Sequence, residues 1–477
     1  MTGQQQLWDL ASSWGAEERM SETETLMWRS ERHPRLSSTI CSLMILDRAP
    51  DWDRFLAAHE WATELVPRCR QRVLDPLLPV GPPAWITDEA FRLEHHVRRT
   101  RLPGAGTMAQ LLELAQTQAL TPFDRTRPLW EGTLVEGLED GRAAYLLKLH
   151  HSLTDGLGGI QLMALVQSRT PEHTADKPTA EPRESSYPTD RWGLTTAVVR
   201  EQIAELPGRA LRSAVLGTRV LASRGGAISE AVRYASSLRR TLASPPAPPS
   251  PLLAGRRGTS WRFEVLECPL DDLKKAAKAA HGSLNDAYVA ALLGGLRRYH
   301  ERHGVELDDL SMVMPVSLRK ADDPMGGNKF AGAYFAAPVG IADPAERIAV
   351  LRGMVLTMRV EPALDTLSLV APLLNRVPSR VGQLAFDLVG SAAELSASNM
   401  PGVPHAVYMA GARVERVFPF GPLPGVAIMA AMVSHDGTCC IGLNIDNDAV
   451  EDPDVLRECM VEGLAEVLSL AGGQSAP

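Results

Sequence analysis

Residues 147–159 read LKLHHSLTDGLGG: His150 and His151 side by side, Asp155 four residues beyond the second, and Gly156 next to it. Three kinds of chemistry use such residues: metal ligation, a hydrogen-bonded core pair, and general-base catalysis. If AAYLLKLHHS is a strand, its alternation puts Leu147, Leu149 and His151 on one face, with Leu146, Lys148 and His150 on the other. The two rings then diverge, and no further Cys or His stands nearby at ligand spacing, so no metal is expected here. A core pair bonded to backbone groups remains a reading of the strand itself. The acid and glycine fall where strand turns into helix (Leu157, Ile160 and Ala164 mark its apolar stripe), and function concentrates at such connections. There an imidazole with a pKa near ~6.5 suits proton abstraction from an alcohol.

The elements that must position these residues alternate along the chain. CSLMILD reads as a strand, DWDRFLAAHEWATELVPRCRQRV as an amphipathic helix, TMAQLLELAQTQAL as another, and WEGTLVEGL as a strand before the DGR turn. After about residue 259 the alternation resumes. WRFEVLECPL, SMVMPVSLR and FAGAYFAAPVG read as strands, LNDAYVAALLGGLRRYHERHG and DPAERIAVLRGMVLTMRV as helices, and DPDVLRECMVEGLAEVLSLA as a closing helix. The pattern predicts a two-domain α/β protein. Residues 1–20 read as an N-terminal extension, 21–170 as a first domain carrying the histidines, 171–258 as linkers and crossover helices, and 259–477 as a second domain. The linkers are PEHTADKPTAEPRESSYPTD and ASPPAPPSPLLAGRRG. Between them, residues 191–240 carry nine Arg against three Glu. That stretch reads either as a lipid-facing amphipathic surface or as a solvated helix pair joining the halves.

Composition narrows the class. An apolar fraction of 45% and a charged fraction of 22% are those of a globular protein. The net charge of −8 argues against a nucleic-acid partner. Six cysteines without CxxC spacing suggest reduced thiols in a cytosolic protein. The start, MTGQQQLWDLASSWGAEERM, lacks the pattern of a signal peptide, and runs such as SLVAPLL and PGVAIMAAMV are too short to span a bilayer. A cytoplasmic protein is expected, peripheral at a membrane or lipid droplet if its substrates are lipids.

HHSLTDG resembles the HHxxxDG motif of the CoA-dependent acyltransferase superfamily, and further stretches resemble its wax ester synthase/diacylglycerol acyltransferase branch. Pro128, Leu129, Trp130 and Glu131 stand upstream of the histidines, Asn285 and Asp286 open SLNDAYVAALLGGLRRY, and MVMPVSLR and GGNKFAGAYFAAPVG resemble strand signatures. SNMPGVPHAVYMAGARV, with Ser398, Asn399, Pro401 and Gly402, resembles the C-terminal signature. The likeness runs in the family's order from about 20 to 470. Two stretches depart from it: RHPRLSSTICSLMILD stands where the family has Pro-Met-His, and Ala287 and Tyr288 follow the Asn-Asp pair. The second histidine pair, His95 and His96, has Thr100 where an acid would stand and reads as structural.

The resemblance implies two chloramphenicol acetyltransferase-like domains, each a mixed sheet with flanking helices, around a substrate channel. It implies transfer of a long-chain acyl group from acyl-CoA to diacylglycerol or a long-chain alcohol, with acyl-CoA as substrate and no cofactor. His151 matches the general base. Asp155 matches an acid that pairs with an arginine and holds the loop, and His150 reads as structural or as shaping the acceptor side. Asn285 and Asp286 are placed at substrate, with core capping as the other reading of Asn285. Trp130 is placed as packing near the site, and Gly156 as the glycine of a tight turn. The competing functions are a condensation or polyketide-associated acyltransferase fed by a carrier-protein thioester, and an inactive lipid-binding homologue.

Overall fold

A computed structural model describes residues 8–9, 11–14, 16–173, 185–204, 247–253, 257–317, 326–328, 330–358, 371–372, 374–376 and 393–472. The Arg-rich stretch beyond residue 204, the linker at 174–184 and most of SLVAPLL lie outside them.

Residues 8–9 and 11–13 are helical, and the first helix described end to end is α1 (Glu22–Ser30), capped reciprocally by Ser21 and Glu24. Next come β1 (Thr39–Leu46), α2 (Trp52–Leu65), β2 (Gln71–Leu74), β3 (Ala84–Thr87), β4 (Val97–Arg101), α3 (Met108–Leu120), β5 (Trp130–Glu136), β6 (Ala143–His150) and α4 (Gly156–Val166). The helix expected through Val73 stops at Leu65. Pro67 holds Val66 in extended backbone, and Gln71 already belongs to a strand.

The second half runs β7 (Trp261–Pro269), α5 (Leu270–Ala279), α6 (Leu284–Arg302), β8 (Leu310–Ser317), β9 (Phe330–Ala337), α7 (Pro344–Met358), β10 (Leu395–Met400), β11 (Tyr408–Met409), β12 (Ala412–Phe420), β13 (Ile428–His435), β14 (Thr438–Asp446) and α8 (Pro453–Ser469).

Two six-stranded mixed sheets result, ordered β11-β12-β1-β6-β5-β4 and β7-β14-β13-β10-β8-β9. The first is not contiguous in sequence: β12, from the second half, runs antiparallel to β1 with Cys41 opposite Phe420. The faces of β1 and β6 explain how the sheets pack. Cys41, Leu43, Ile45, Ala144 and Leu146 join Phe263, Ala431, Val433 and Cys440 in one buried cluster spanning both sheets. Met44, Tyr145, Leu147 and Leu149 face the opposite way, toward the helices of the first half. Alternation thus assigns each strand one side to the partner sheet and one to its own helices.

Residues 191–204 form a helix that buries Leu194 and Val198 against Leu74, Ala84 and Ile86 of the small β2–β3 sheet. Its outer face leaves Trp192 64% and Ile203 60% exposed, with Val199 between them.

Candidate active site

β6 ends at His150, and the backbone then turns so that His151 N–H donates to Ser38 O at 2.7 Å. His151, Leu147 and Leu149 line one cavity of about 270 Å³, and His150 is not in its lining. The wall is shared between the halves: Ser42 and Met44 of β1, Ile160 and Met163 of α4, and Met400, Ala431 and Val433 of the second sheet. Aliphatic and thioether side chains dominate, the lining expected for an acyl chain.

The His151 imidazole is held by Asn328. Nδ1 stands 2.7 Å from Asn328 Oδ1, and Asn328 Nδ2 donates to the His151 carbonyl at 2.6 Å. A carbonyl oxygen only accepts, so the second bond fixes which end of the amide faces which group. Nδ1 must then carry the proton, and the lone pair of the neutral ring lies on Nε2. Burial pushes the His151 pKa below its ordinary 6.5, against the opposing pull of Asn328 and the Asp155 charge. The neutral, basic form therefore persists below the usual histidine range. Activity that depends on this base is lost only as pH falls through that lowered pKa. A kcat/KM profile should accordingly keep more than half its plateau at pH ~6.5; an acid limb centred above that would contradict this ring as the base.

His150 points away. Its Nδ1 accepts from Ser152 N–H at 3.0 Å, and its Nε2 lies 2.8 Å from Glu31 Oε2, with Trp28 and Phe123 edge-on to the ring. It joins the end of β6 to α1. Asp155 lines the cavity and caps α4, accepting from Gly158 N–H at 3.0 Å, while its own N–H donates to Gly327 O at 3.2 Å.

The remaining expected site residues are placed differently. Gly156 does line the cavity, but it does not serve a left-handed turn: a side chain there would run into the Met400 sulfur, so the glycine lets α4 approach β10. Trp130 lies outside the cavity, because its indole N–H donates to Cys69 O at 2.8 Å and its ring stacks on His96 at 4.8 Å. His96 in turn bonds the Trp130 carbonyl at 2.8 Å. Asp286 closes a capping box with Ser283 at the start of α6 and ion-pairs with Arg352 at 3.6 Å. Asn285 donates to Met314 Sδ at 3.4 Å and stands outside the lining. No group of three or more potential metal ligands occurs among the described residues.

Asn328 was not singled out from the sequence, though it sits in the strand signature GGNKF. A signal was present: the two glycines before it adopt φ of +76° and +69°, conformations that side-chain-bearing residues rarely take. Ser398, Asn399, Pro401 and Gly402 of the C-terminal signature all line the cavity.

With this geometry in view, similarity to known proteins decides the family. The profile described as the wax ester synthase/diacylglycerol acyltransferase catalytic domain matches residues 20–288, and the WS/DGAT C-terminal domain matches 326–467. The chain belongs to the wax ester synthase/diacylglycerol acyltransferase family. A Mycobacterium tuberculosis relative, named as a diacylglycerol O-acyltransferase, is 40% identical over 96% of this chain and 93% of its own length. Another from that organism, similarly named, is 28% identical over 98% of this chain and 93% of its own length. Among solved structures, a wax ester synthase/diacylglycerol acyltransferase from Marinobacter aquaeolei covers 95% of this chain and all of its own, with a TM-score of 0.64 and 21% identity. The first condensation domain of a calcium-dependent antibiotic synthetase covers 96% of this chain and 97% of its own, with a TM-score of 0.61 and 16% identity. These two show a shared fold. As a member of the family this protein is an acyltransferase of mixed α/β architecture in two sheet-centred halves.

Proposed function

We propose that this acyltransferase moves a long-chain acyl group from acyl-CoA to the hydroxyl of diacylglycerol or a long-chain alcohol, with His151 as general base. The observation that carries the reading is the His151 ring, held with its lone pair on Nε2, on the wall of an apolar cavity shared by both sheets. Nε2 takes the acceptor's hydroxyl proton as that oxygen attacks the thioester carbonyl. The tetrahedral intermediate collapses, the carbon–sulfur bond breaks, and the imidazolium returns the proton to the departing thiolate. Ester and free CoA leave, and the enzyme is unchanged. No acyl-enzyme is required, because two substrates held in one cavity meet directly. A starter condensation domain of the same fold, solved with C8-CoA at a TM-score of 0.58, supports an acyl-CoA as the donor.

The test is a product assay by mass spectrometry, giving the purified chain palmitoyl-CoA with equal diolein and hexadecanol, beside His151→Ala. Ester that depends on His151 supports the reading, and the ratio of triacylglycerol to wax ester reports the preferred acceptor. Equal ester with the variant, or none from either, sinks it.

No helix among the described residues is long and apolar enough to cross a membrane. Peripheral docking on a lipid surface suits such substrates, and the outer stripe of the 191–204 helix, Trp192, Val199 and Ile203 beside Arg191 and Arg200, has the composition for it. Burying a large apolar side chain is worth about 1.5–3 kcal/mol. Co-flotation with anionic vesicles should therefore fall at least about tenfold in a Trp192→Ser, Ile203→Asp variant; unchanged flotation would remove this face from the proposal.

A further inference from the structure

We propose that Asn328 is the positioning residue of the His151 base and that Glu24 holds Asn328 in its working orientation. The inference rests on His151 being the base. Asn328 bridges two parts of His151, the ring through Oδ1 at 2.7 Å and the carbonyl through Nδ2 at 2.6 Å. A free asparagine amide turns over readily; this one does not, because turning would set Oδ1 against a carbonyl oxygen. Glu24 adds a second obstacle. Glu24 is 7% exposed and accepts from the Ser21 N–H at 2.9 Å; its Oε1 stands beside Gly327, the residue before Asn328, and burial pushes its pKa up against the opposing pull of Ser21, Arg68 and Asn328. A carboxylate also only accepts, so it too demands the NH₂ end. Arg68, itself buried and stacked over Trp85, pulls the Glu24 pKa down against the burial that raises it.

The arrangement does for His151 what a carboxylate does in a hydrolase triad: it fixes the tautomer and the ring plane. It differs in placing a neutral amide, not an anion, against Nδ1. A neutral partner leaves the imidazole pKa low, whereas an anion there would raise it. Among the described residues, the other titratable groups that act on His151 are Asp155 at the start of α4 and, from the opposite face of β6, His150, with His435 of β13 on the same cavity wall.

The test compares wild type with Asn328→Ala, Asn328→Asp and Glu24→Gln in the full chain, using palmitoyl-CoA and hexadecanol from pH 5 to 9. Asn328→Ala should lower kcat by about 10–100-fold, with the KM for palmitoyl-CoA within about twofold. Asn328→Asp keeps the acceptor, so it should recover most of that kcat. It should also move the acid limb up by about one pH unit or more, because a carboxylate now faces Nδ1. Glu24→Gln offers an amide that tolerates either Asn328 orientation, and should cost less than Asn328→Ala with no upward shift of the limb. Equal losses in the alanine and aspartate variants, with no movement of the limb in the latter, would reduce Asn328 to packing and overturn the inference. An Asn328→Ala enzyme with unchanged kcat would do the same. If His151→Ala is itself active, the reading of the base fails, whatever the Asn328 variants do. If His151→Ala is inactive and the Asn328 variants behave like wild type, this inference alone fails.

Discussion

Replacing His151 by alanine should lower kcat by about 10²–10⁴-fold while leaving the fold intact, the range that separates a positioned general base from none. The imidazole stands on the cavity wall, so its removal enlarges the cavity and takes the donor from Asn328 Oδ1. The Asn328 Nδ2 bond to the residue-151 carbonyl survives the change, since it needs no side chain there. Thermal melting of the variant should accordingly match wild type within a few degrees as its rate collapses. A comparable fall for His150→Ala would have a different origin. His150 ties β6 to Glu31, and its loss should show in the melt.

The largest expected effect on stability lies far from the cavity, at Glu466 on α8. Its carboxylate accepts from Arg347 and Arg298, each at 2.8 Å, and Arg297 stands 3.7 Å away. Arg347 is fully buried, and its other described partner is the Ile341 carbonyl at 2.9 Å. Glu466→Ala leaves that guanidinium buried without its counter-charge, which typically costs about 3–5 kcal/mol. An exposed pair makes the control: Glu458, 3.0 Å from Arg302 at the surface, should cost less than about 1 kcal/mol when removed. Urea midpoints of the two variants decide the matter, and equal midpoints would refute it. Despite burial, the arginines hold the Glu466 pKa below the ordinary carboxylate value. Its stabilisation is therefore fully present above that ordinary value and disappears as pH drops through the lowered one.

What the sequence disclosed follows from the range of the interactions. The alternation in LLKLHH is local, and it assigned His151 to the face of Leu147 and Leu149 and His150 to the other, as the cavity lining has it. Local pattern was less able to separate roles within one motif. Ser283, Asn285 and Asp286 spell a capping box as readily as a substrate contact, and Asp286 is engaged as a cap. The Asn328 contact with His151 spans 177 residues, and the bond from Trp130 to the Cys69 carbonyl spans 61, so no spacing rule could connect either pair. The pairing of β12 with β1 is longer still. Hydrophobic periodicity marks β1 as a strand; it carries no information on which strands meet.

That pairing bears on the order of events during synthesis. When a ribosome has released the first 260 residues, β1 already has β6 on one side, but its other edge waits for residues 412–420. An unpaired edge of TICSLMIL is a template for pairing with another chain. Asn328 also emerges long after His151, so a nascent chain holds that ring without the amide that bonds it. The cavity, whose wall takes Met400, Ala431 and Val433 from the late strands, is therefore complete only after the stage at which the β1 edge is open.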